Sequence, residues 1–103
     1  MTSPPRYSSF GDFYPHYLRA HQNRTNRRLH FFGTTLVIIL LAGVLIADAW
    51  GWLLLVPVVG YGPAWVGDFY FERNRPATFT HPLYSLFGDF RMYADTWMGK
   101  IRF

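Results

Sequence analysis

Two apolar runs constrain this chain more than any other feature. From Leu29 to Ala47 the only ionisable residue is His30, and from Ala49 to Gly67 there is none. Each run approaches the roughly 20 residues needed to cross hydrocarbon, and only Asp48 separates them. In a chain of 103 residues, little sequence remains to cover two uniformly apolar helices in a water-soluble core. The pattern predicts an all-α fold, a small integral membrane helical bundle built on a two-span hairpin over about 29–47 and 49–67. Asp48, Trp50 and Gly51 mark its turn. Composition agrees, because 50% hydrophobic and only 16% charged residues suit surroundings other than water and exclude disorder.

Charge gives the hairpin a direction. Arg19, Arg24, Arg27 and Arg28 precede the first run, and Arg73 and Arg75 follow the second, so both termini are expected on the cytoplasmic side. The net charge of +4 serves orientation and attraction to anionic headgroups; no basic stripe of the length nucleic acid requires is present. The polar, Pro-rich start does not read as a signal peptide. Pro57, Gly60, Gly62 and Pro63 interrupt the second span, which should kink it and free backbone carbonyls that need partners inside protein. Bundles this thin often associate, which favours a homo-oligomer.

The whole chain, 1–103, reads as a single membrane-embedded domain in which amphipathic helices flank the spans. After a tail over 1–9, Phe13, Tyr14, Tyr17, Leu18 and His21 recur at helical spacing, with Asp12 as the expected N-cap and Pro15 in the first turn. A second helix over about 82–99 opens at Pro82. It gathers Leu83, Leu86, Phe87, Phe90, Tyr93, Trp97 and Met98 on one face, leaving Ser85, Asp89, Arg91 and Asp95 elsewhere. That apolar face suits either the membrane interface or a seat over the mouths of the spans. Gly-Asp-Phe occurs at Gly11, Gly67 and Gly88 with unmatched flanks and reads as coincidence.

The absence of cysteine leaves His, Asp, Glu and backbone oxygens as metal donors. His30 lies 18 residues before Asp48 and Asp68 lies 20 after it. In an antiparallel pair that is a depth mismatch of about 3 Å. Asn26 shares a helical face with His30, and Glu72 with Asp68, by their spacing of four. His21 ends the first helix's stripe, where an apolar residue would be cheaper, and can fold back over the same mouth. His21, His30 and Asp68 then offer two imidazoles and a carboxylate, the donor set of non-haem Fe(II) oxygenases. Singly, each also reads as a packing or ion-pairing residue, with Asp68 opposite Arg73 and Glu72 opposite Arg75. His81, beside Pro82, reads either as a fourth ligand or as an N-cap neighbour, and His16 as solvated. No phosphate loop, serine nucleophile elbow or zinc-protease helix is present in the sequence.

The stretches FYPHYLRAHQNRTNRRLHFFGT (Phe13 to Thr34) and GYGPAWVGDFYFERNRPATFTHPLYSLFGDFRM (Gly60 to Met92) resemble the small membrane proteins related to the yeast endoplasmic-reticulum 2-hydroxy fatty acid dioxygenase. Within them the spacing from His21 through Asn26 to His30 is the most specific part. The resemblance implies an all-helical membrane protein that holds Fe(II) through histidines and removes one carbon from a 2-hydroxy fatty acid with molecular oxygen. It carries over His21 and His30 as ligands. Where the family reads Gly-His before an acidic residue, this chain has Gly67-Asp68 and then Glu72, so a carboxylate takes a ligand histidine's place. On this reading His21, His30 and Asp68 bind the metal and Asn26 and Glu72 support them. Arg28, Arg73 or Arg75 would neutralise the substrate carboxylate, although the same arginines also serve the orientation signal. Two rival readings are a non-catalytic scaffold or lipid-binding protein, and a hydrolase using another divalent metal.

Overall fold

A long helix with a polar start and an apolar remainder organises the chain. The computed structural model describes residues 7–103, and all regular structure among them is helical. Helix α1 spans Phe10–Arg19, α2 Arg24–Ala47, α3 Val56–Val66 and α4 Pro82–Trp97. A 3₁₀ segment (Trp50–Leu55) leads into α3, a π-turn (Gly67–Glu72) continues it, and a short 3₁₀ turn (Ala77–Phe79) precedes α4. At about 1.5 Å per residue, the 24 residues of α2 reach about 36 Å, beyond the roughly 30 Å of hydrocarbon. Trp50–Glu72 forms a second helical stretch of 23 residues, and both stretches are long and apolar enough to cross a membrane. The hairpin between them is the most extensive contact in the molecule.

Proline and glycine shape that contact. Pro63 lies inside α3 and cannot donate to the carbonyl of Val59 four residues back. Gly33 of α2 faces this point: a Cβ there would come within 3.0 Å of the Gly60 carbonyl oxygen and 3.4 Å of that of Val59. Only glycine lets the two backbones approach so closely. Pro57 sits in the first turn of α3, where its missing N–H costs nothing. Asp48 closes α2 in the left-handed conformation (φ 53°) and accepts a hydrogen bond from the Trp50 indole N–H.

The flanking helices differ from expectation in two respects. Ser9, not Asp12, caps α1, its hydroxyl accepting from the Asp12 N–H at 3.2 Å; Asp12 falls in the first turn, favourable to the helix dipole. Of the tail expected over 1–9, residues 1–6 lie outside the described residues. Tyr7 is tied down, its N–H donating to His81 Nε2 at 3.1 Å and its ring stacking on His16.

The second difference concerns α4. Its apolar residues do not pack inward: Leu83, Phe87, Phe90 and Trp97 lie on the outer surface, whereas Ser85, Gly88, Met92 and Asp95 are buried. The helix thus turns its apolar side outward and its polar side inward. Its polar face zips onto α1. Tyr14 Oη donates to Asp95 Oδ2 at 2.8 Å, and Tyr17 Oη donates to Asp89 Oδ1. Phe13, Tyr14, Tyr17 and Met92 form the one buried apolar cluster among the described residues.

Candidate metal centre

Four segments deliver polar side chains to the mouth of the hairpin. Beyond the end of α1, the chain crosses to α2 through His21, Gln22 and Asn23. Asn23 caps α2, its side-chain oxygen accepting from the Asn26 N–H at 3.1 Å, while its own N–H donates to Glu72 Oε1. Glu72 thereby fastens the end of the second span to the start of the first. Its carboxylate is taken up by that N–H and not by the histidines.

The depth match between the spans is realised. His21 Nε2, His30 Nε2 and one Asp68 oxygen lie within 4.8 Å of one another, and all three residues are at most 4% exposed. The separations are 3.2 Å between the two Nε2 atoms, 3.2 Å from His21 to Asp68 Oδ1 and 3.6 Å from His30 to the same oxygen. Donors bound at about 2.1 Å to one ion stand about 3.0–3.5 Å apart, so these spacings fit a shared cation.

The hydrogen bonds behind the rings sharpen the point. His21 Nδ1 lies 2.6 Å from the Tyr17 carbonyl oxygen and His30 Nδ1 lies 3.0 Å from that of Asn26. A carbonyl can only accept, so each Nδ1 carries a proton, and the two Nε2 atoms face each other. Two lone pairs and a carboxylate converging in a buried site repel unless a proton or metal ion lies among them. Imidazoles oriented by their second nitrogen in this way are a regular feature of metal ligation. Asn26 completes the support: its Nδ2–H donates to Asp68 Oδ1 at 3.1 Å. Its own side-chain oxygen is buried without a hydrogen-bond partner among the described residues. Gly67 makes room for it, since a Cβ there would fall 2.1 Å from that oxygen.

Other residues singled out in the sequence go elsewhere. His81 stands at the N-cap position of α4, with Nε2 accepting from Tyr7 and Nδ1 at 2.9 Å from Thr80 Oγ1, so both nitrogens are engaged away from the triad. Arg28 lies over the Phe103 ring, with Nε 3.4 Å from the Phe103 carbonyl oxygen. Arg73 closes the π-turn in the left-handed conformation and is exposed, while Arg75 lies over Phe79. His16 is half-buried; burial and the neighbouring Arg19 hold its pKa below the usual histidine value.

Asp89 arrives without having been foreseen. Its Oδ1 lies 3.8 Å from His30 Nε2, its side chain is 16% exposed, and burial pushes its carboxyl up to about 8. It lies off the apolar stripe of α4, so helical periodicity does not single it out. The repeated Gly-Asp pair was the available signal. Gly67 gives way to Asn26 and Gly88 to the Tyr17 ring, which a Cβ would meet at 3.1 Å, and the aspartate following each glycine contacts His30.

Two cavities meet the centre from different sides. One of about 400 Å³ touches His21 and Asp68 and is lined further by His16, Asn74, Arg75 and Thr80. The other, about 230 Å³, touches His30 and Asp89 and runs between α2, α3 and α4 along Val37, Gly60, Ala64 and Leu86. The first sets His16, Asn74 and the Arg75 guanidinium among apolar walls; the second is an almost wholly apolar slot.

A family model described as 2-hydroxy-palmitic acid dioxygenase Mpo1-like matches residues 7–101. No curated protein and no solved structure matches the chain.

Proposed function

The chain belongs to the Mpo1-like family, and from that premise we propose that it is an Fe(II)-dependent dioxygenase that shortens a 2-hydroxy fatty acid by one carbon at a membrane face. The observation that carries the reading is the convergence of two Nε2 atoms and the Asp68 carboxylate, with both Nδ1–H groups committed to backbone carbonyls. His21, His30 and Asp68 are the proposed ligands, a two-histidine, one-carboxylate set suited to Fe(II). Bound there, Fe(II) supplies redox chemistry toward oxygen and a Lewis-acidic seat for the substrate's carboxylate and 2-hydroxyl oxygens. Overall, a 2-hydroxy acid and O₂ give the acid one carbon shorter, carbon dioxide and water, with four electrons passing from carbon to oxygen.

The protein's own part is placement. The carbonyls of Tyr17 and Asn26 fix the imidazole planes, and the Asn26 amide holds the Asp68 oxygen, so the donors need little reorganisation. Arg75, on the cavity that reaches Asp68, is the arginine placed to attract the substrate carboxylate. The apolar slot beside His30 receives the first part of the acyl chain, and the rest lies in lipid. Arginines at the mouth put this face, and both termini, on the cytoplasmic side.

Anaerobic reconstitution of detergent-purified protein with Fe(II), followed by 2-hydroxypalmitate and oxygen, tests the reading. It expects oxygen uptake matched by the fatty acid one carbon shorter, both lost in His30→Ala and Asp68→Ala. Turnover without oxygen would point to a hydrolase. A scaffold role would show as lower thermal stability in the same variants with no metal bound by the wild type.

A further inference from the structure

We propose that Asp89, carried by α4, is a fourth protein donor to the metal held by His21, His30 and Asp68, so that the ion joins four separate segments of the chain. The inference rests on the metal-centre reading above and extends it to a helix that reading does not use.

Three observations carry it. Asp89 Oδ1 stands 3.8 Å from His30 Nε2, beside the group of three donors that lie within 4.8 Å of one another. Tyr17 Oη donates to that same oxygen, and the carbonyl of Tyr17 accepts from His21 Nδ1, so one residue positions both an imidazole and this carboxylate. Gly88 permits this by letting the Tyr17 ring lie against the α4 backbone. Finally, Asp89 makes no ion pair with lysine or arginine among the described residues, although Asp95 on the same helix pairs with Arg91 at 3.3 Å.

Asp95 supplies an internal control. Like Asp89 it accepts from an α1 tyrosine, Tyr14, but it is not among the histidines' ion-pair partners. The experiment measures Co(II) affinity by chelator competition, with the Co(II) visible spectrum, on the full detergent-purified chain and its Asp89→Asn, Asp89→Glu and Asp95→Asn variants. Asp89→Asn is expected to lose about 100-fold in affinity, the upper end of what even supporting groups of a metal site cost, with an altered spectrum. Asp95→Asn should lose thermal stability and keep its affinity within about threefold, well under that range. Asp89→Glu should retain the metal with a shifted spectrum, and it decides the matter should Asp89→Asn fail to fold: an unchanged spectrum and affinity would overturn the assignment.

Wild-type affinity in Asp89→Asn, or an equal loss in Asp95→Asn, overturns it too while leaving the three-ligand reading intact. So does a raised KM with unchanged metal affinity, which would make Asp89 a substrate contact. A wild type that binds no divalent metal overturns both.

Discussion

At the mouth of the hairpin Asn26, His30, Thr34, Asp68, Ser85 and Asp95 are buried, while Phe32, Leu83 and Phe87 face outward; at the turn, the segment Trp50–Leu55 buries nothing. Along one face of α2 the same stripe passes from polar (Asn26, His30, Thr34) to apolar (Val37, Val44). The two ends therefore use apolar residues for different purposes. Near the turn they are a surface that lipid can solvate, and nothing in the protein depends on their partners. Near the mouth, hydrogen bonds and glycine contacts do the fastening, because buried polar groups without water must find one another. Along the turn and α4, hydrophobicity mostly reports where the outside is, whereas α1 buries Phe13, Tyr14 and Tyr17 in the usual way.

Substitutions at the two ends can break or sharpen that contrast. The largest effect is expected where the donors meet. Elemental analysis of reconstituted protein should show His30→Ala and Asp68→Ala to lose the metal, by about 100-fold or more in affinity. Acidification should act in the same direction, since protons compete with the metal for its donor atoms. Next comes Gly67→Ala, whose Cβ would collide with the Asn26 side-chain oxygen at 2.1 Å. It should cost about 1–3 kcal/mol in reversible unfolding and weaken metal binding as well, because Asn26 holds Asp68.

Tyr14→Phe leaves buried Asp95 one donor short, and about 1–3 kcal/mol of stability should be lost without any change in metal content. Leu54→Ala, at a residue 84% exposed on the turn, should move stability by less than about 0.5 kcal/mol. Were Leu54→Ala to cost as much as Tyr14→Phe, the two ends would not differ in the way described.

What the sequence made legible follows from the same contrast. The spans, the turn at Asp48 and the common depth of His30 and Asp68 depend on run length and helical rise, both readable from composition along the chain. The spacing of four from Asn26 to His30 placed them on one face, although the bond to the Asn26 carbonyl that orients the ring is a backbone detail no spacing announces. Glu72 takes the Asn23 N–H as its partner, another backbone contact that spacing does not announce. For α4, periodicity found the apolar stripe and left two settings open, the membrane interface or the mouths of the spans; the structure turns the opposite face inward, with Ser85, Gly88 and Asp95.

The π-turn has a consequence for length changes in this part of the chain. Relative to an α-helix it contains a residue in excess, so it acts as a phase adjuster between two fixed settings. Upstream, α3 is locked in rotation by the contact of Val59 and Gly60 with Gly33; downstream, Glu72 is locked by Asn23. Deleting one residue within Gly67–Glu72 would restore regular α winding and keep both settings, whereas deleting a second would turn one against the other by about 100°. Either Asp68 would leave the histidines or Glu72 would leave the cap of α2. Such a deletion would be easily accommodated at the exposed turn near Gly51, so tolerance of insertions and deletions should itself map which end of the hairpin holds the chemistry.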